Sequence, residues 1–354
     1  MLQLFPIILL LMSGLCVSGL AWSSTRISSR PSCSDSRHTC RQLTISSVAT
    51  TALKASTMAS TWFAEEESFT SAPTSSPSLS VEQLKAQLLQ LGAALDRGQA
   101  YNPTSGEYYS ETMSTARSKI QQLLDTAESS LPKSLTDIDG EWELILSTVH
   151  HGIFRSSPFF LAIQESYEYA EQKTFGESGI NKSDLFFKLH ELQTCSWGVS
   201  KVGRIAQHID ASKQYLYSTF DTSLFSLTVI PILGWFKLLP TFGGCVVTAA
   251  TCQEISSDTF QGRNVARLDM TVDYTTSRKV PGLNGLPLLG DFIWKIKVPV
   301  GAIWKLLPWN KGRDATCKVY INYLDNDFRI VQDIDGEFFV YTRPVVPRPL
   351  EGFD

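Results

Sequence analysis

Charge is missing from the start of this chain. Residues 1–21, MLQLFPIILLLMSGLCVSGLA, carry no acidic or basic side chain. The apolar run is too short to cross a bilayer comfortably, and small residues come after it. It reads as a secretory signal, with Gly19 and Ala21 ahead of a cleavage point before Trp22, rather than as an anchor. Acids are then scarce through residues 22–57. Arg26, Arg30, Arg37, Arg41 and Lys54 stand there against Asp35 alone, in a stretch crowded with Ser and Thr. That is transit-peptide composition. Residues 58–79 hold the chain's first acidic cluster, Glu65–Glu67, and then most of the tract TSAPTSSPSLS, Thr70 to Ser80. Such composition is a disordered linker, with too few apolar residues to build a core.

The chemistry-bearing motifs are also sparse. Of the five histidines, His150-His151, His190 and His208 are far apart and share no i, i+4 spacing, so they form no metal site. Once the leader is removed, Cys195, Cys245, Cys252 and Cys317 remain. They contain no CxxC, which excludes a zinc ribbon and a thioredoxin-like centre, and they read as buried free thiols. Ser156-Ser157 lies outside any nucleophile elbow. Gly243-Gly244 and Gly282–Gly285 lack a following Lys-Ser/Thr, so there is no phosphate loop. With no acid/base or nucleophilic constellation, the chain reads as non-catalytic and free of cofactor or metal. The whole chain has 31 basic and 35 acidic residues. Removing the leader's five and one leaves 26 and 34, a net charge of −8. That balance argues against a nucleic-acid partner. Leu224 to Val247 holds a single charge, Lys237, but Pro231, Gly234, Pro240 and Gly243-Gly244 interrupt it. Buried strands joined by an apolar loop suit it better than a membrane helix.

The elements present are a pair of helices and then many strands. Ser80 opens a capping box with Gln83, and Leu84, Leu88, Leu91 and Leu95 fall on one helical face. Met113, Ala116, Ile120, Leu123 and Leu124 mark a second helix, with Asn102-Pro103 and Gly106 in the loop between. The helical pair is placed at 80–130, its spare apolar surface covering an end or side of the strand-rich region. From Gly140 the period becomes two. Ala266 to Tyr274 alternates apolar with polar most clearly. Further strands are expected at Trp142–Ser147, Leu185–Leu189, Val202–Asp210, Tyr215–Phe220 and Cys245–Thr251. Residues 317–342, CKVYINYLDNDFRIVQDIDGEFFVYT, supply three more around two acidic turns, with Asp335-Gly336 signalling a type I′ hairpin. Some nine or ten short strands favour a closed antiparallel β-barrel over residues 135–345, because closure removes exposed edges. Residues 346–354 form a tail.

Four segments point to one family. YLDNDFRI, Tyr323 to Ile330, resembles the C-terminal signature of the plastid-lipid-associated proteins, or plastid fibrillins. LTDIDGEWELILST, Leu135 to Thr148, is similar to their opening strand, FRSSPFFLA, Phe154 to Ala162, to the loop after it, and LDRGQ, Leu95 to Gln99, to an element between two helices. The resemblance spans roughly Val81 to Arg343. It implies a mainly β, lipocalin-like barrel with an N-terminal helical pair. It also implies a non-catalytic protein that binds or coats prenylquinones, carotenoids or fatty acids at thylakoid, envelope or plastoglobule. The alternative is an accessory subunit of a lipid-biosynthetic enzyme, with a protein partner in plastid lipid metabolism. Trp142, Tyr323, Asp325, Asp327 and Arg329 occupy the family-motif positions. The leader resembles the two-step leader of algae with secondary plastids.

Two features bear on lipid contact. Arg329 follows the Asp325–Asp327 turn and reads as a partner of those carboxylates, with a polar anchor for a ligand head group as the functional alternative. In Leu286 to Gly312, Trp294, Trp304 and Trp309 alternate with Lys295, Lys297, Lys305 and Lys311. Trp and Lys together suit a membrane interface and peripheral lipid contact; barrel wall with snorkelling lysines is the competing reading. The leader is directly testable. A fluorescent fusion of residues 1–65 is expected in the plastid, and one lacking residues 1–21 in the cytosol. Secretion of the first would overturn the two-step assignment.

Overall fold

The computed structural model describes residues 79–99, 106–127, 131–149, 153–168, 182–187, 200–224, 229–230, 236–237, 242–280, 296–306, 310 and 312–349. Helix α1 (Val81–Ala94) begins as expected. The Ser80 hydroxyl accepts from the Gln83 N–H at 3.3 Å, and the Gln83 side chain accepts from the Ser80 N–H at 2.9 Å. Helix α2 (Gly106–Thr126) comes next. Leu84, Leu88, Leu95, Met113, Ala116, Ile120 and Leu123 are all buried.

The strands are β1 (Gly140–Ser147), β2 (Ser200–Asp210), β3 (Tyr215–Leu224), β4 (Val229–Ile230), β5 (Phe236–Lys237), β6 (Phe242–Cys252), β7 (Ser256–Phe260), β8 (Arg263–Arg278), β9 (Thr316–Leu324), β10 (Phe328–Gln332) and β11 (Phe338–Thr342). The sheet order is β6-β3-β2-β1-β11-β10-β9-β8-β7, and β6 also pairs with β8. That last pairing closes eight antiparallel strands into a barrel, with β7 as a hairpin arm on β8. The expected mainly β barrel with an N-terminal helical pair is therefore what the chain forms. Strands β4 and β5 make a separate two-stranded ribbon within the apolar 224–247 stretch. No helix among the described residues is long and apolar enough to cross a membrane.

Register decides which residues face inward. Residues directly opposite one another share a face. Trp142 lies opposite Gln207, Leu144 opposite Tyr341, and Arg329 opposite the same Tyr341. Val331 lies opposite Phe339 and Ile321, Val319 opposite Leu268, and Cys317 opposite Met270. These form the inner face. The intervening residues Phe328, Ile330, Phe338, Val340 and Tyr323 form one apolar cluster with the buried faces of α1 and α2. The helical pair thus covers a side of the barrel, not an end. Each fully buried Leu or Phe there contributes about 1.5–3 kcal/mol.

The helices approach β1 through glycine. A Cβ on Gly92 would run into the carbonyl oxygen of Ile145, and one on Gly98 into that of Ser147. Asp96, Arg97 and Gly98 all have positive φ, at 44°, 62° and 95°. Arg97 donates to the carbonyls of Val202 and Gly203 on β2, and Tyr109 donates to that of Gly98 at 2.9 Å. The LDRGQ element is therefore the joint between helical pair and barrel.

Three expectations are corrected. Residues 182–187 are helical, not the start of a strand at Leu185–Leu189; residues 188–189 lie outside the described residues. A short apolar run carries no decisive period. Burial of Ser183 and Phe187, four apart, is what chooses the helix. The segment expected as a loop, Phe154–Ala162, instead forms a 3-10 turn (Phe154–Ser156) and the start of α3 (Pro158–Glu168). Pro158 suits the first helical position, where its missing N–H costs nothing. The Asp335-Gly336 hairpin is not type I′, since of that pair Gly336 alone has positive φ, 87°. The Asp333 carboxylate accepts the N–H of Asp335 and of Glu337 at 3.0 and 2.9 Å, which holds a longer turn open. The two-residue turn with positive φ at both positions is Gln261-Gly262, between β7 and β8.

Gly98→Ala combines a steric conflict with positive φ and is expected to cost about 1–3 kcal/mol in chemical denaturation. Gly262→Ala, where a Cβ meets open space, carries only the backbone cost of about 1 kcal/mol. Equal losses at both sites would show that the helices do not depend on this close approach.

Candidate functional site

Four strands bring one polar group into the inner face. Because β10 alternates, Phe328 and Ile330 turn out toward the helices and Arg329 turns in. Its guanidinium lies 4.9 Å from the ring centre of Trp142 on β1 and 4.6 Å from that of Tyr341 on β11. Nη2 donates to Gln207 Oε1 on β2 at 2.6 Å. Gln207 in turn donates to the Ser156 carbonyl at 2.8 Å, and the Tyr341 side chain interacts with those of Ser156 and Gln207. Arg329 is only 1% exposed, yet its Nε has no hydrogen-bond partner. No described carboxylate forms an ion pair with it. Burial pushes its pKa down to about 10, so it stays protonated at neutral pH. Burial pushes the Tyr341 hydroxyl upward, so it stays neutral.

This overturns the expected pairing of Arg329 with Asp325 and Asp327. Asp325 sits on the outer side of the turn. Its carboxylate accepts from Lys85 on α1 at 2.6 Å, from the Tyr323 hydroxyl at 2.5 Å, and from the N–H of Asp327 and Phe328 at 2.9 and 2.7 Å. Burial opposes its charge, but these donors win and hold its pKa below the ordinary value. Asp327 is exposed, and its carbonyl takes the Arg343 N–H at 2.9 Å. Of the family-motif residues, then, Trp142 and Arg329 meet inside the barrel. Tyr323, Asp325 and Asp327 serve the turn and the docking of α1.

The Trp and Lys candidates separate in the same way. Trp294, Lys295 and Trp309 lie outside the described residues. Lys297 stacks over the Tyr274 ring at 4.9 Å. Trp304, expected at a lipid surface, is buried to 8% exposure on the short helix α4 (Val300–Leu306). It meets Phe159 of α3 edge-on at 6.2 Å. Membrane contact through Trp304 is therefore corrected to core packing, because α3 supplies an apolar partner the linear sequence did not reveal. Lys305 pairs with Asp314 at the surface, and Leu306 beside it is 81% exposed.

Helix α3 closes the barrel near the β10–β11 turn. Phe154 stacks on Phe220 at 5.6 Å. Arg155 pairs with Asp335 at 3.1 Å and lies 3.6 Å from the fully buried Asp333, while Gln164 donates to both. Glu165 accepts the Lys318 N–H at 2.6 Å. Beside it, a cavity of about 520 Å³ is lined by Ala162, Glu165, Trp304, Asn310, Arg313 and Thr316 among others. Burial raises Glu165 to about 7 and Asp333 to about 6. Gln207, Tyr341 and Glu165 were missed from sequence. The available signal for Gln207 was an amide between Ile205 and Ile209 on an otherwise apolar strand face.

No family model matches this chain, and no curated protein or solved structure matches it either.

The raised carboxyls set a pH dependence. The folded protein keeps Glu165 protonated to a higher pH than the unfolded chain, whose value is near 4.5. Stability is expected to fall as pH rises from 4.5 to 7, by up to about 3 kcal/mol, and to level off above. Asp333 acts in the same sense between 3.8 and 6. Glu165→Gln should flatten the upper part of the decline in melting temperature. An unchanged slope in that variant would place the titration elsewhere.

Proposed function

We propose that this is a non-catalytic plastid lipid-associated protein of fibrillin type that holds an apolar molecule in its barrel at a thylakoid, envelope or plastoglobule surface. The observation that carries the reading is the closed eight-stranded barrel with a desolvated guanidinium, that of Arg329, on its inner face, its Nε without a hydrogen-bond partner. Barrels of this strand number have room for side chains or for one small ligand. Binding sites for apolar molecules are mostly hydrophobic, with a few polar groups that set orientation. Leu144, Ile205, Met270, Val331 and Phe339 supply the first, and Arg329, Gln207 and Tyr341 the second. The fibrillin-like motifs at Leu135–Thr148 and Tyr323–Ile330 and the two-step leader support the compartment and lipid class. Peripheral surface contact is assigned to the exposed Lys305-Leu306 end of α4 instead of the buried Trp304.

The test is mass spectrometry of lipids retained by the protein purified from its own plastids. A stoichiometric prenylquinone, carotenoid or fatty acid is expected. A protein that retains no lipid but co-purifies in a stable complex with a lipid-biosynthetic enzyme would favour the accessory-subunit role instead.

A further inference from the structure

Arg329 differs from buried Arg155 and from the partly exposed Arg204 and Arg348, each of which has a described carboxylate partner. Arg155 has Asp333 and Asp335 within ion-pair reach; Arg204 has Glu141 and Glu143, each at 2.9 Å. Arg348 holds Asp221 through both terminal nitrogens, at 2.9 and 2.6 Å. Arg329 is more deeply buried than Arg204 or Arg348, and it has one amide oxygen and two aromatic faces. A buried charge without a counter-ion is expensive, and removing water leaves π faces as partial compensation only. A second cation nearby adds to the cost. Arg343 lies 3.7 Å from the Trp142 ring centre, and its proximity disfavours charge on Arg329. Arg343 is already engaged, donating to the carbonyls of Asp139 and Glu141 at 2.7 and 3.3 Å.

We propose that Arg329, with Gln207 and Tyr341 beside it, anchors the carboxylate of a long-chain acid whose apolar tail lies along the inner wall of the barrel. This rests on the reading of the barrel as a lipid holder and narrows its ligand class. A guanidinium offers a planar fork that matches a carboxylate through two parallel hydrogen bonds, and here Nε is unpartnered while Nη2 is already oriented by Gln207. A single carboxylate neutralises a single free cation. A phosphate brings more charge than the site can offset, since Arg343 is committed to carbonyls. A carotenoid or quinone brings none and leaves the guanidinium unpaired. The tyrosine hydroxyl stays neutral and can donate to a carboxylate oxygen. The alternative is that Arg329 is a structural cation satisfied by its two rings.

The experiment compares decanoate with 1-decanol, equal in tail and different in head group, by calorimetric titration of the delipidated full chain at pH 8. Wild type is expected to bind decanoate at least about tenfold more tightly, and Arg329→Gln to bind both alike with decanol affinity kept. Equal affinities in wild type, or a preference that survives in Arg329→Gln, would overturn the anchor while leaving the lipid-holding barrel intact. Absence of binding by either compound would overturn both. A second measurement does not depend on the variant folding: carboxyl-labelled decanoate bound to wild type, followed by carbon NMR against pH. A carboxyl that stays ionised to about one pH unit or more below its free value supports the anchor. One that titrates at or above its free value excludes it.

Discussion

Trp142, held by two guanidiniums, is the contact on which the barrel depends. Its ring is fully buried, with Arg343 and Arg329 both stacked against it. Its indole N–H donates to the Ile138 carbonyl at 2.8 Å, which ties the 3-10 turn at Leu135–Ile138 to the first strand. Arg343 reaches back to the carbonyls of Asp139 and Glu141, so the end of the last strand is bound to the start of the first. One aromatic ring thereby fixes the seam between β1 and β11. The strap after β11 extends the seam, with the Arg348 N–H donating to Glu141 at 2.6 Å and its guanidinium held by Asp221 on β3.

Covering one outer wall with helices changes what the strands can do. Strands β9, β10, β11 and β1 are apolar on both faces where α1 and α2 dock, which is why β10 is buried at every position. The alternation of the strand then separates two groups of neighbouring residues. Asp325 goes outward to Lys85 and ties α1 to the turn. Arg329 goes inward to a place where no described acid reaches it. Two residues close in sequence and opposite in charge are kept apart by the pleat, and that separation leaves a cation available in the interior. Burying a charge with no counter-ion costs stability, and the Trp142 and Tyr341 rings and the Gln207 amide offset only part of that cost.

The plug formed by Phe154–Ser156 and α3 links the interior polar group to the mouth of the barrel. Ser156 touches the Gln207 and Tyr341 side of the interior, while Gln164, Glu165 and Arg155 lock the mouth to the 333–337 turn and to β9. A ligand held at Arg329 would lie beneath this plug. Burial raises Glu165 of the plug and Asp333 of the turn it packs on, so this contact is itself sensitive to pH.

Local patterns in the chain determined the elements. The Ser80 capping box, the leucine face of α1, the Ala266–Tyr274 alternation and the three closing strands all stand where the periodicity put them, because each depends on neighbours within a turn or a pleat. Trp142 and Arg329 were singled out by the resemblance of Leu135–Thr148 and Tyr323–Ile330 to fibrillin motifs, not by periodicity. Only the tertiary structure decided what they meet. Whether Arg329 met Asp325 or Gln207 depended on which face of β10 looked inward, and that was set by helices about 200 residues earlier covering the other face. Trp304 likewise had the composition of a membrane contact, and a phenylalanine about 145 residues away made it core. The helix at 182–187 and the turn at Asp335-Gly336 were decided by packing and by the Asp333 side chain, not by propensity. Partners distant in sequence leave no period to read; Arg329, Trp142 and Gln207 become neighbours only when β11 pairs with β1 and β1 with β2.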